Sequence, residues 1–337
     1  MHNGHLLIPV MCPKIINFAK TLDMIPDVVH GVTKLRNEIY ILGQQRIFVF
    51  EDRSPFHRQR EIYLRMETPS DIVSSEMENC LYVSDSWSRL WKITRQVHVD
   101  DQYKVTECLK TNKHPLTMSV SSDGQLLIIS FSRNNATIYG TKVKFVRSIR
   151  LPINMEFPRH AVKTSLGNYI ILYHYRATEG ESGLNWRGWI WKWDICELTK
   201  DGQRVIRRFI PSNKKQNLER PEHLSIDSDD RVIVADCGNG RVILLDSDLK
   251  WQRIMCPMTA REDAKQIVAP YRLCYDEKTK QLIVGGKLGD SNNTVHVYTF
   301  TLGQQIRKAG QNMKKKKRRS WDHQNCAALQ QIRIDAH

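Results

Sequence analysis

One unit recurs along this chain. In residues 220 to 246, RPEHLSIDSDDRVIVADCGNGRVILLD, a proline leads into a short apolar strand, an acidic tight turn, a second strand, a polar link and a third strand. The turn and the strand after it return as SSDGQLLIIS at 121 to 130 and TSLGNYIILY at 164 to 173. All three turns lie the same distance beyond a proline, namely Pro115, Pro158 and Pro221, and weaker copies follow Pro26, Pro69 and Pro270. The six anchors stand 43, 46, 43, 63 and 49 residues apart. Strands this short cannot bury their own faces, so each unit must borrow cover from its neighbours.

Units of about 43 residues with several strands each are the mark of propeller blades, whose sheets shield one another around a ring. The expected fold is all-β, a six-bladed β-propeller of four-stranded antiparallel blades. An outer strand precedes each following proline: REIYLRM at 60 to 66, YKVTECL at 103 to 109, KFVRSIRL at 144 to 151, RVIRRFI at 204 to 210 and KWQRIMC at 250 to 256. The last unit has none, because TVHVYTFT at 294 to 301 runs into GQQIRKAGQNMKKKKRR, which has no apolar alternation. KIINFAKTLDMI, residues 14 to 25, stands where an outer strand belongs and has no earlier blade to serve. The expectation is that it closes the ring on the last blade. The chain then divides into a leader (1–13), the propeller (14–301) and a basic tail (302–337).

The apolar stretch HLLIPVMCP near the start is short, is broken by Pro9 and Pro13 and follows no basic segment, which argues against a signal peptide or membrane span. The expected location is intracellular and cytoplasmic. Eight cysteines without a Cys-x-x-Cys pair argue against a disulfide framework or zinc finger. Net charge is +15, of which the tail supplies +7 and the rest of the chain +8. The run KKKKRR, Lys314 to Arg319, reads as a nuclear address, a nonspecific phosphate grip or a solvated segment.

In the fifth unit Pro221, Val232, Val234, Ala235, Asp236, Asn239, Arg241 and Val242 make a pattern that resembles the NHL repeat, and residues 69 to 94, with Asp85 and Arg89, are similar to a degenerate copy. Leu42, Ser130 and Gly286 depart from it where the aspartate belongs. The likeness is to the C-terminal propeller of tripartite-motif NHL proteins, without their zinc and coiled-coil modules. It implies a six-bladed propeller serving as an RNA binder, a protein-interaction platform or, in a minority, a metal-dependent lyase or lactonase-like enzyme.

Loops between second and third strands share a face with the links into the next blade. Collected there are Arg46, Trp87, Arg89, Arg133, Asn134, Trp186, Arg187, Lys214, Lys215 and Arg241. Cations interleaved with indole rings suit single-stranded RNA, whose phosphates are neutralised while its bases stack. A protein partner is the alternative. Asp236 and Arg241 recur at motif positions, where the expected duty is hydrogen bonding to the turn or the adjacent blade, and Trp189, Trp191 and Trp193 alternate as residues packed between blades would. His30, His160 and His223 each open an innermost strand and offer zinc-type ligands, but they fall in blades one, four and five with no spaced carboxylate to orient them. Structural, hydrogen-bonded histidines are the expectation, with no metal, no cofactor and no catalytic set.

Overall fold

A computed structural model describes residues 28–53, 58–66, 68–96, 102–111, 115–130, 135–140, 143–152, 155–176, 191–256, 269–288 and 292–299, which form six antiparallel sheets. Blade 1 is β1 (Gly31–Leu35), β2 (Glu38–Leu42), β3 (Arg46–Glu51) and β4 (Arg58–Tyr63). Blade 2 is β5 (Pro69–Ser75), β6 (Cys80–Asp85), β7 (Arg89–Arg95) and β8 (Tyr103–Lys110). Blade 3 is β9 (Pro115–Val120), β10 (Leu126–Ser130), β11 (Asn135–Tyr139) and β12 (Phe145–Arg150). Blade 4 is β13 (Phe157–Lys163), β14 (Tyr169–Arg176), β15 (Trp191–Leu198) and β16 (Val205–Arg208). Blade 5 is β17 (Pro221–Ile226), β18 (Val232–Asp236), β19 (Arg241–Leu245) and β20 (Trp251–Cys256). Among the described residues blade 6 has three strands, β21 (Ala269–Asp276), β22 (Gln281–Leu288) and β23 (Asn292–Thr299).

The core lies between blades, as stacking of half-covered sheets requires. Ile39, Ile41 and Phe48 of blade 1 pack with Ile283, Val295 and Val297 of blade 6, so the described ring is continuous across the ends of the array. Equivalent clusters join blades 1 and 2 through Leu42, Val49, Ile72 and Val83, and blades 4 and 5 through Leu172, Ile195, Val234 and Ile243. A buried polar lock reinforces the seam between blades 6 and 1. Lys34 Nζ lies 2.5 Å from Asp52 and 2.6 Å from Asp276, and donates to Thr279 and Gln281 at 2.7 Å each.

The proline anchors have a physical reason. Pro69 and Pro221 pair with Asp85 and Asp236 at the mouth end of their strands, and Pro115 with Ser130, where a missing N–H costs least. Immediately after each anchor the register shifts by one residue, and the same bulge follows Pro158 and Pro270. Bulges re-aim side chains. Here they set Asp71, Thr117, His160, His223 and Arg272 at equivalent positions of five innermost strands. Blade 1 differs: β1 begins at Gly31, and the register opposite Leu42 gives Gly31 the place that Asp71 holds in blade 2. Pro26 and the closing segment 14–25 lie outside the described residues, as do the leader and the tail.

Contacts confirm which loops share a face. Arg241 and Asn239, at the β18–β19 turn, bond carbonyls of Lys215 and Asn217 in the link between blades 4 and 5, and Thr111 beyond β8 bonds Ser88 in the β6–β7 turn. On the other face the first turns of adjacent blades are tied together, Lys163 to Asp123, Ser165 to Asp230 and Ser228 to Glu277, and Lys278 of blade 6 reaches past blade 1 to Glu76 of blade 2. Carboxylates gather in these turns: Asp123, Asp230, Glu277 and Glu76 each accept from a neighbouring turn. No described helix is long and apolar enough to cross a membrane.

Candidate functional site

Two places on this scaffold concentrate chemistry: the axial hub made by the bulge residues, and the loop face. At the hub Asp71, His160 and His223 are all buried and bring one ligand-type atom each to within 4.8 Å of one another. Asp71 comes from blade 2, which is why no spacing rule in the sequence joins it to two histidines of blades 4 and 5. Asp71 Oδ1 accepts from the Ile72 amide at 2.9 Å and Oδ2 from the Met118 amide at 2.8 Å. Arg272 reaches from blade 6 past blade 1: its Nε donates to the His30 carbonyl at 2.7 Å and stands 3.7 Å from Asp71, and its Nη2 donates to the Ser70 carbonyl at 3.3 Å. Gly31 makes room for that reach. A β-carbon there would stand 3.2 Å from Asp71 Oδ1 and 2.9 Å from the Ile72 nitrogen.

His160 bridges three blades. Its Nε2 bonds the Met118 carbonyl at 3.1 Å, and its Nδ1 accepts the Leu224 amide at 3.3 Å. That pair of partners fixes a neutral ring with the proton on Nε2. Burial pushes the His160 pKa down to about 3, and burial, aided by His160 and Arg272, holds His223 well below the ordinary imidazole value. For Asp71 burial raises the pKa to about 6, against the pull of Arg272 and the two amides.

As arranged, this trio does not fit a metal. Two imidazoles bound to one tetrahedral zinc at 2.0–2.1 Å hold their ring centres about 5 Å apart, whereas the ring centres of His160 and His223 lie 3.8 Å apart with the planes tilted by 36°. Both nitrogens of His160 and both oxygens of Asp71 already have backbone partners, and a guanidinium stands beside the carboxylate. Within the trio, His223 Nδ1 is buried with no hydrogen-bond partner among the described residues. The geometry is that of a hydrogen-bonded hub that joins blades. His160 makes hydrogen bonds through both ring nitrogens, whereas His223 Nδ1 makes none.

On the loop face, the residues expected to bind fall into local groups. Trp87 and Arg89 share Asp85 in blade 2. Asp85 accepts the amides of both residues through Oδ1, and through Oδ2 the Arg89 Nε at 2.8 Å and the Trp91 indole at 3.0 Å. Lys214, Lys215 and Arg241 meet where blade 4 leads into blade 5. Arg241 clasps the buried Asp236 at 2.7 Å and donates to the Lys215 and Asn217 carbonyls at 2.6 and 2.7 Å. Arg46 stands on blade 1, paired with Glu61 at 3.0 Å. Three of these cations are therefore occupied by internal partners. Burial raises the Asp236 pKa against the pull of the Glu219 amide, Asn239 and Arg241. Trp87 is 58% exposed, and Lys214 and Lys215 are exposed on a 3-10 turn with no ion pair among the described residues. Arg133, Asn134, Trp186 and Arg187 lie outside the described residues.

A further group on this face belongs to blade 4. Tyr173 pairs with Pro158 as Asp236 pairs with Pro221, so β14 continues three residues beyond the end of β18, and β15 accompanies it. On this extension His174 opposes Trp193 and Phe157, and Arg176 opposes Trp191. His174 stacks on Phe157 with ring centres 5.0 Å apart, Trp191 meets both rings edge-on at 5.4 and 5.0 Å, and Arg176 lies 5.6 Å from the Trp191 ring. Burial first, then the charge of Arg159, lowers the His174 pKa to about 4, so the stack is neutral at physiological pH. Trp191 is 42% exposed. The expectation that Trp191 packs between blades is corrected here: the lengthened hairpin lifts it past the neighbouring sheets, and only the inner half of β15 is buried.

Ring, bulges and stacked cores define the class of the protein as a six-bladed β-propeller. Solved structures agree on the fold. The chain is similar to a hydrazine synthase chain of Kuenenia stuttgartiensis, at 16% identity and TM-score 0.57 over 84% of this chain and 97% of that one. It is also similar to the WD40 β-propeller domain of Doa1, at 11% identity and TM-score 0.53 over 86% and 97%. No protein-family model and no curated protein sequence matches the chain. The NHL likeness thus remains one of short motifs, and these neighbours speak for the fold alone.

Proposed function

We propose that this protein is a non-enzymatic binding scaffold whose partner is another protein, held on the loop face of the propeller. The single observation that carries the reading is the blade 4 extension, where Phe157, His174, Trp191 and Arg176 form a partly exposed aromatic and guanidinium surface. Trp, Tyr and Arg are the residues that dominate binding energy at protein interfaces, because large rigid rings bury area at little entropic cost. Exposed Ile210 stands in the link that leaves blade 4, and exposed Tyr63 and Trp87 lie on the same face at blades 1 and 2. The motif likeness to NHL platforms agrees with this use.

Single-stranded RNA is the second reading. Exposed Lys214 and Lys215 and the net charge of +15 favour it, and the internal pairing of Arg46, Arg89 and Arg241 counts against it. In-cell cross-linking followed by mass spectrometry separates the two. A protein recovered with the wild-type chain and lost with Trp191→Ala supports the proposal. Enrichment of one sequence family from a random RNA pool, with affinity falling steeply as salt rises, would put RNA in its place.

A further inference from the structure

We infer that the outer edge of β15, from Trp191 to Trp193, takes an extended segment of the partner protein as an added β-strand, recognised by an apolar–acidic–apolar sequence. The inference rests on the reading of the loop face as a protein-binding surface and names the element that binds there. Its observation is the unequal pairing of the third and fourth strands of blade 4. In blades 1, 2, 3 and 5 the fourth strand pairs with every residue of the third, or with all but one. β16 pairs with Cys196, Glu197 and Leu198 alone among the eight residues of β15. Just past β16, Phe209 donates its amide to the Ile195 carbonyl at 2.8 Å, and Ile210 is already 79% exposed. Ile195 therefore turns its backbone groups to the outer edge, and at the two-residue period of a strand Trp193 and Trp191 do the same. The Ile195 amide is closed off, because Asp194 Oδ1 accepts it at 2.7 Å. Among the described residues the outward N–H and C=O groups of Trp191 and Trp193 have no such partner. A row of this kind is a template for one more strand.

The two sides of this edge set the chemistry of the occupant. Residues opposite one another across strands lie on one side of a sheet, so Trp191 and Trp193 share a side with Arg176 and His174, their partners on β14. An added strand would place the residues opposite Trp191 and Trp193 on that same side, against the indole rings, where apolar side chains bury most area. The residue between them would fall on the other side, with Lys192, Asp194 and Arg208. Asp194 is engaged there by the Ile195 amide, by the Tyr173 hydroxyl at 2.7 Å and by Arg208 at 3.1 Å. Of these three side chains two are cations, and an acidic residue on the added strand complements that balance. Alternating backbone donors and acceptors are met in full by another extended backbone, which is what separates this occupant from a nucleic acid.

Random linear peptides displayed on phage and selected on the full-length chain, with the Trp191→Ala chain as the counter-selection, supply the probe. Enriched peptides are expected to share the apolar–acidic–apolar pattern. Synthetic copies methylated at one backbone nitrogen at a time should lose affinity by about tenfold or more at alternate residues and little at those between, because a strand turns every second N–H toward its neighbour. On a chain labelled with nitrogen-15 tryptophan, the backbone amides of Trp191 and Trp193, assigned with Trp191→Phe and Trp193→Phe, should exchange with solvent freely and slow by about tenfold or more once the peptide is bound. Slow exchange of both amides in the free chain would show the edge already covered and overturn the inference, as would slowing that appears only when a second copy associates at high protein concentration. Peptides that need Trp191 yet show no two-residue period on methylation would remove the added strand and leave the protein-partner reading standing. Failure to enrich any linear peptide would also overturn the strand, while cross-linking decides the wider reading independently.

Discussion

Arg272→Met is the most informative perturbation of the fold, because it leaves the Asp71 carboxylate buried without its counter-charge. Arg272 bonds the His30 and Ser70 carbonyls and stands 3.7 Å from Asp71, whose side chain is 1% exposed. Removing one member of a buried ion pair costs about 3–5 kcal/mol, and that is the loss expected at pH 7. The sign of the pH dependence follows from Asp71. Its folded pKa is raised to about 6 from the ordinary aspartate value of about 3.9, so its stabilising contribution is complete below about pH 3.9 and is lost as pH rises through 6. Without Arg272 the folded pKa climbs further, and acid relieves the variant more than the wild type. The deficit should shrink by about 1 kcal/mol between pH 7 and pH 5. His160 and His223, the other titratable groups at the hub, stay neutral across that window. Urea unfolding followed by tryptophan fluorescence at both pH values gives the two free energies. Asp71→Asn combined with Arg272→Met should recover much of the loss at pH 7 and abolish its pH dependence. Equal deficits at pH 5 and pH 7, with no recovery in the double variant, would refute the reasoning.

Gly31→Ala should destabilise by about 1–3 kcal/mol, since the new methyl would meet the Ile72 backbone nitrogen at 2.9 Å and its Cγ2 at 2.6 Å; thermal unfolding checks this. Arg241→Lys should cost about 2–3 kcal/mol of stability, because an ammonium cannot serve Asp236 and the carbonyls of Lys215 and Asn217 in three directions; an unchanged denaturation midpoint would assign Arg241 to the partner instead. Trp191→Ala should shift stability by only about 1 kcal/mol and weaken partner binding by about tenfold or more, measurable by calorimetry once the partner is in hand. Trp87→Ala, 58% exposed, should act in the same direction.

Much of the fold was legible because it is carried by local, repeated signals. Proline anchors, acidic turns and β-rich outer runs located the blades, and the outer strands β8, β12, β16 and β20 fall within a residue or two of the runs that announced them. Where the repeat was weakest the reading slipped: β1 starts at Gly31, because blade 1 follows Pro26 at a different interval from the strands that Pro69 and Pro221 begin. The candidate sites were less legible. Arg89 and Arg241 carry the charge and position that suggested a ligand contact, yet each turns back onto a buried aspartate of its own blade. Trp191 carries the alternation of a packing residue, yet it pairs with Arg176, three residues past the position that ends β18 in blade 5, and is 42% exposed.

By itself the sequence determined the number of sheets and the strands within them, since short apolar runs punctuated by turns at a fixed period have few ways to bury their faces. Only the tertiary structure decided what meets at the axis. Asp71, His160, His223 and Arg272 are drawn from four blades, separated by up to 201 positions, and nothing local to any one of them encodes the others. Ring closure makes them neighbours: each bulge aims one side chain inward, and their mutual distances depend on all six blades being in place.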